Sequence, residues 1–334
     1  MMNLQHRIHI LSQLGKYILD DSEDWNVTKQ RASQVNTWFT PTFINYAATQ
    51  ISSAFLEEEK LRSWIEKYDL DGDEKHSKNV GIVMAGNIPL VGFHDFLCAF
   101  IAGHRMTIKL SSKDDILLPF LVSVLQEWEP ALNERIQFAS MLKGCDAYIA
   151  TGSDNTARYF EYYFSKHPSI IRRNRSSLAV LKGDEDASTL ERLADDVHLY
   201  FGLGCRNVTK IYVSEGYDFV PLLEAFKKYS HFSDHSKYRN NYDYNLALQM
   251  MNRGYYMTNG SILLVESPQL FSPISQLNYE FYPGNKQQIV NEEPEKVQCI
   301  VGRGHNDFGT TQQPVLSDYA DGVDTLQFLQ ELYR

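Results

Sequence analysis

The sequence predicts an α/β protein, with two parallel-sheet α/β domains behind an N-terminal helical segment. Three observations carry this. Apolar residues recur at helical spacing through the first seventy or so positions; from about Asn79 short β-branched runs alternate with longer periodic ones; and beyond Arg175 that alternation starts again.

Taken in order, Ile8, Leu11, Leu14 and Ile18, then Ile51, Phe55, Leu61, Trp64 and Ile65, mark amphipathic helices. The Asp/Lys/Gly-rich segment from Asp69 to Lys78 has too little apolar content to pack, and a domain core begins after it. Val80 to Met84 leads into a helix started by Pro89, Met106 to Leu110 into a helix from Asp114, and Ala147 to Ala150 into a helix from Asp154. This βαβαβα order predicts a parallel sheet covered on both faces, with ligands at the carboxyl ends of its strands. A second set has strands at Leu178 to Leu181, Val208 to Val213, Ile262 to Val265 and Val297 to Val301. Its helices lie around Thr189 to Tyr200, Phe219 to Tyr229 and Tyr244 to Met251. The expected domains are 1–175, 176–305 and a C-terminal loop and helix, 306–334, whose helix from Gly322 to Tyr333 packs back on the body. The boundary falls at the basic run Arg172-Arg173-Asn174-Arg175.

The 334 residues carry a net charge of -10, which repels a long phosphate backbone and argues against nucleic acid as partner. Cys98, Cys145, Cys205 and Cys299 are scattered, without CxxC or Cys/His metal spacing and without a secretory leader ahead of them. We expect reduced thiols in a cytoplasmic protein, with no bound metal. The most apolar stretch, Phe96 to Ala102, is too short to span a bilayer and is flanked by His94, Asp95 and His104.

Chemistry belongs in the loops after the strands. In Ala85-Gly86-Asn87-Ile88-Pro89, Asn87 either caps the next helix or offers its amide to a developing oxyanion, and the two roles are compatible. Lys109, followed by Ser111, Ser112 and Lys113, places an ammonium and two hydroxyls where the adenosine ribose or phosphate of a crevice-bound nucleotide would lie; a solvated strand-end lysine is the alternative. Thr151-Gly152-Ser153-Asp154-Asn155-Thr156 is either a pyrophosphate seat at a helix start, with Asp154 facing away, or an ordinary N-cap. Arg172, Arg173 and Arg175 form the densest positive patch, suited to phosphates or to a surface hinge paired with Asp184, Glu185 and Asp186. No GxGxxG fingerprint is present, since Gly202-Leu203-Gly204 lacks the third glycine and follows no strand.

Cys205 sits in Phe201-Gly202-Leu203-Gly204-Cys205-Arg206-Asn207, a Gly-containing turn between a predicted helix and a predicted strand. A thiol there is held at one point, with room for a carbonyl to approach. The alternative is a small buried hydrophobe, the usual fate of an unpaired cysteine.

In their order and spacing these loops resemble the aldehyde dehydrogenase superfamily, and within it the LuxC-type acyl-CoA reductases, the fatty-acid reductases of bacterial luminescence. The resemblance runs from about Asn79 to the C-terminus. Gly86-Asn87-Ile88-Pro89 is similar to the superfamily's Asn-containing turn, Ile108-Lys109 to its cofactor lysine, Thr151-Gly152-Ser153 to its pyrophosphate seat, and Gly204-Cys205 with Lys210 to its nucleophile segment. It implies an aldehyde-dehydrogenase-like fold: an NAD(P)-binding domain within 1–175, a catalytic domain within 176–305, and a crevice between them. It also implies Cys205 as nucleophile, with the Asn87 amide and the Cys205 N–H as oxyanion donors. Lys109, Ser112, Gly152, Ser153 and Gln269 become cofactor contacts.

Two departures from the family pattern shape the expected reaction. Where aldehyde-oxidising members carry a general-base glutamate, this chain reads Ile171-Arg172-Arg173-Asn174, which suits a reductase whose acyl-enzyme must avoid activated water. In Gln269-Leu270-Phe271-Ser272-Pro273, Gln269 replaces the acid that holds the nicotinamide ribose and binds its hydroxyls more weakly. Ser112 stands where NAD-preferring relatives carry a glutamate, which removes a repulsion against a 2′-phosphate and favours NADPH, with NADH as the alternative. The resemblance therefore implies reduction of a fatty acyl thioester, acyl-CoA or acyl-protein, to the aldehyde, with an acyl-protein synthetase as partner and a homo-oligomeric state. A reductase of acyl phosphates or short acyl-CoA, a Cys205 acyltransferase or thioesterase, and a silent acyl-CoA-binding relative are the competing readings.

Overall fold

The helical periodicity of the first seventy residues becomes four helices, α1 Leu4–Leu19, α2 Glu23–Val35, α3 Pro41–Phe55 and α4 Glu58–Ile65. Asn3 accepts from the His6 N–H to cap α1, and Thr40 accepts from the Phe43 N–H to cap α3, where Pro41 takes the first helical position. All nine apolar residues that define the pattern are buried, each contributing roughly 2 kcal/mol of transfer free energy. The structure, a computed structural model, describes residues 2–20, 22–70, 77–282, 294–302 and 304–333. Most of the expected polar break after Asp69, residues 71–76, lies outside them.

The chain divides into two compact units, Met1–Asn174 with Pro314–Arg334, and Arg175–Gln313. The first unit holds β1 Asn79–Val83, α5 Phe93–Ala102, β2 Arg105–Lys109, α6 Leu117–Trp128, β3 Ile136–Phe138, β4 Ala147–Thr151, α7 Asp154–Phe164 and β5 Ser169–Arg172. Its five strands are all parallel, in the order β3-β2-β1-β4-β5. The loops after β2, β1 and β4 therefore leave the sheet side by side at one edge.

Two helix starts differ from expectation. The helix after β1 begins at Phe93, not Pro89, because Leu90 takes a left-handed backbone with φ 56° and its N–H is bound by Asp114 Oδ2 at 2.8 Å. The next helix begins at Leu117, because the Asp114 carboxylate serves that loop. The arginine run is also corrected. Arg172 is buried at the end of β5, ion-paired with Asp95 and donating to Thr325 Oγ1 at 2.8 Å, while Arg173 pairs with Glu161 and Arg175 donates to the Val297 carbonyl. It is neither a phosphate cluster nor a hinge paired with Asp184 to Asp186; Glu185 instead accepts from the Lys182 and Gly183 N–H groups and Asp186 caps the following helix.

The second unit contains β6 Ser176–Val180, α8 Ala187–His198, β7 Val208–Val213, α9 Val220–Ala225, α10 Ser236–Asn252, β8 Tyr256–Thr258, β9 Leu263–Glu266, β10 Gln276–Phe281 and β11 Val297–Gly302. Strand order is β11-β6-β7-β10-β9-β8, parallel except for β8, an antiparallel edge of three residues. The last helix, α11 Thr325–Glu331, belongs to the first unit and packs on α5.

Candidate active site

In the first unit the expected cofactor residues gather at the carboxyl edge of the sheet. Lys109 ends β2 and is exposed, as is Ser112 beyond it. Asn87 is partly buried in the loop after β1, which packs tightly on the loop after β2: a Cβ on Gly86 would lie 2.7 Å from the Ser111 side chain. Asp114, beneath that loop, is nearly buried, and desolvation raises its carboxyl to about 6. Ser153 caps α7 by accepting from the Thr156 N–H, so the N-cap reading holds, and Asp154 stands exposed in the first turn. Gly152 precedes it, where a Cβ would come within 3.0 Å of Thr156 and 3.1 Å of Phe160. Asn87 does not cap α5, whose N-cap is Gly92.

Cys205 lies in the second unit, at the amino end of β7, so the carboxyl-end rule that places the other loops does not place the candidate thiol. It is partly exposed, while Cys98, Cys145 and Cys299 are buried. The chain leaves α8 through Tyr200, Phe201 and Gly202, with left-handed φ of 54°, 57° and 74°, and then forms a tight turn in which the Asn207 N–H donates to the Gly204 carbonyl at 3.1 Å. Ser177 Oγ donates to the Cys205 carbonyl at 3.1 Å and accepts from the Cys299 N–H at 3.1 Å, so the turn is also tied to β6. The Arg206 guanidinium reaches Cys299 Sγ at 3.2 Å.

Gln269 is exposed on a loop whose four consecutive carbonyls are all bound by strand side chains. Lys210 Nζ donates to Pro268 O at 2.8 Å, Asn278 Nδ2 to Gln269 O at 2.9 Å and to Phe271 O at 3.1 Å, and Thr209 Oγ1 to Leu270 O at 2.7 Å. Successive residues of a regular strand point to opposite faces, yet Thr209 and Lys210 both reach this loop. A β-bulge explains it: Ser177 pairs with Val208 and Leu178 with Lys210, leaving Thr209 as the extra residue. Lys210 is 2% exposed, and its charge is met by Glu280 at 2.5 Å and by the Tyr212 ring, 4.7 Å from Nζ. Thus the Gln269 loop is held by the first residues of β7, the strand into which the Cys205 turn leads.

Sequence reasoning missed Asn207, Ser177 and Asn278, the side chains that fix those two segments. The local signal for Ser177 was the pair Ser176-Ser177 at the start of a strand, which reads equally as solvated surface; Asn207 and Asn278 stand in no such run.

No protein-family model matches this sequence, and no curated protein is found to be similar to it by sequence. The fold is that of the aldehyde dehydrogenases. Aldehyde dehydrogenase 21 from Physcomitrella patens, solved with succinate, superposes with a TM-score of 0.67 at 14% identity over 90% of this chain and 74% of its own. The NAD-dependent aldehyde dehydrogenase of Sinorhizobium meliloti gives 0.67 at 12% over 94% and 73%, and the NAD+ complex of the Mycobacterium tuberculosis enzyme 0.64 at 14% over 86% and 70%.

Proposed function

We propose that the protein is an NADPH-dependent reductase that converts a fatty acyl thioester, acyl-CoA or acyl-protein, to the aldehyde through an acyl-Cys205 intermediate. The observation that carries the reading is Cys205, the cysteine among four that is not buried, on a tethered turn in a chain with the aldehyde dehydrogenase fold. Its thiolate attacks the acyl carbonyl carbon; the new C–S bond forms, the C–S bond to the carrier breaks, and the carrier thiolate departs with a proton. The Asn87 amide and the Cys205 N–H are assigned to the oxyanion, each donor worth about 3 kcal/mol.

The residues present fit a dinucleotide. Gly152 keeps the turn before α7 bare where a Cβ would crowd Thr156, Ser153 starts an exposed helix N-terminus, and Lys109 sets an exposed cation at the same sheet edge. A bound reduced nicotinamide would supply the hydride. Lys109 and Ser112 are assigned to the adenosine ribose and its phosphate, Gly152 and Ser153 to the pyrophosphate, and Gln269 to the nicotinamide ribose. The stretch 171–174 offers no carboxylate of its own, and Asp95, which Arg172 meets, is consumed in a buried ion pair. Water activation is therefore not provided from that segment, which protects an acyl-enzyme from hydrolysis.

The test mixes the protein with acyl-CoA of graded length and NADPH or NADH. Aldehyde release should equal nucleotide oxidation, be larger with NADPH, peak at medium to long chains, and vanish in Cys205→Ser. Acid release without nucleotide oxidation would replace the reductase by a thioesterase; a preference for short chains or acyl phosphates would replace the substrate class.

A further inference from the structure

We infer that Asn207 is a positioning residue for the Cys205 thiol, its buried amide locking the nucleophile turn to the end of α8. The inference rests on the reading of Cys205 as nucleophile. Asn207 is fully buried, yet its polar atoms are all engaged. Oδ1 accepts from the Gly204 N–H at 2.8 Å while its own N–H donates to Gly204 O at 3.1 Å, closing a reciprocal pair around Cys205 and Arg206. Nδ2 donates to Asp196 O at 3.1 Å, Leu199 O at 2.9 Å and, more weakly, Val197 O at 3.4 Å.

Those carbonyls lie at the C-terminal end of α8, where backbone acceptors lack intrahelical donors. One amide therefore satisfies the helix end and the turn together. It does so across the left-handed bend at Tyr200, Phe201 and Gly202, an unfavourable backbone path for two non-glycine residues that only firm tethers at both ends maintain. Ser177 holds the other side of the turn through the Cys205 carbonyl. With the amide gone, the turn keeps its backbone bond from Asn207 N–H to Gly204 O and the Ser177 contact but loses its tie to the end of α8.

The side chain that separates position from mere shape is aspartate. Asp fits the same volume and can still accept from Gly204, but it presents lone pairs to three carbonyls that need a donor. The turn should then shift, and a displacement near 1 Å costs roughly 100-fold in a reaction that requires alignment. Iodoacetamide makes no such demand, because it needs only an accessible thiolate.

Whole protein, wild type and Asn207→Asp, is treated with acyl-CoA without nucleotide, and Cys205 acylation is followed by mass spectrometry beside iodoacetamide labelling and steady-state kinetics. We expect acylation and kcat to fall about 100-fold, KM for acyl-CoA to stay within about threefold, and iodoacetamide labelling to stay within about threefold of wild type. Asn207→Ala, which removes the donors together with the acceptor for Gly204, should reproduce the pattern and replaces the aspartate variant if that fails to fold. Acylation within threefold of wild type, or labelling and acylation lost in equal proportion, overturns the inference. Wild-type protein that is never acylated at Cys205 overturns the nucleophile reading as well, and the two failures are told apart by the wild-type lane.

Discussion

Asp114 shows how one carboxylate shapes the loop that carries Asn87. Its Oδ2 binds the Leu90 N–H, Oδ1 is buried without a hydrogen-bond partner among the described residues, and burial raises the carboxyl from 3.8 to about 6. The folded state therefore holds this proton at a higher pH than the unfolded chain does. Stability from this group is full below 3.8 and declines as pH rises through 6, by up to about 3 kcal/mol at neutrality. Asp114→Asn keeps an acceptor for Leu90 and removes the charge, so denaturation of the variant should show a gain of about 1–3 kcal/mol at pH 7 and a flatter profile between pH 4 and 6. A variant less stable than wild type at pH 7 would mean that the ionised carboxylate is favourable where it sits.

At the scale of elements, the clamp on the Gln269 loop gives a second prediction. Lys210→Met preserves length and apolar stem but leaves Pro268 O without its donor and releases Glu280, which is 40% exposed and can be solvated. The loss should reach about 1–3 kcal/mol in stability. With Gln269 as a ribose contact, KM for the nucleotide should rise about tenfold, the equivalent of 1.4 kcal/mol, with kcat at saturation little changed; an unchanged KM would detach Gln269 from the cofactor. The contrast between Lys210 and the strands around it shows what the sequence can disclose. β1, β2, β4 and β7 were legible because short apolar or β-branched runs stand between turn signals, and β7 matches its expected bounds. β3 and β8, three residues each, and β10, with Asn278 and Glu280 inside it, carry polar residues that local patterning assigns to loops. Lys210 is read in the sequence only as part of the segment after Cys205, and its burial beside the Thr209 bulge is not foreseen, while Pro89 reads as a helix start until Asp114, twenty-five residues on, claims the neighbouring N–H. At Pro89 a long-range hydrogen bond overrides a local preference.

At the scale of the molecule, chain continuity separates the two units. The second is a single stretch, Arg175–Gln313, and contains Cys205, Gln269 and every tether described for them. The first is completed only by Pro314–Arg334. From that tail the Leu316 carbonyl meets His94 Nε2 at 3.0 Å, Tyr319 Oη accepts from Trp64 Nε1 at 2.9 Å, Asp324 accepts from Tyr68 Oη at 2.7 Å, and Thr325 accepts from buried Arg172 at 2.8 Å. Leu316, Tyr319, Leu326 and Leu329 are buried, together worth roughly 6–12 kcal/mol, comparable with the about 5–15 kcal/mol by which a domain is stable. Truncation after Gln313 should accordingly unfold the first unit, abolish nucleotide binding and remove its melting transition, while iodoacetamide still labels Cys205 faster than Cys299, the buried cysteine of the same unit. Nucleotide binding that survives the truncation would show the tail to be dispensable to the sheet edge carrying Lys109 and Ser153; loss of Cys205 selectivity over Cys299 would show that the turn depends on more than its own unit.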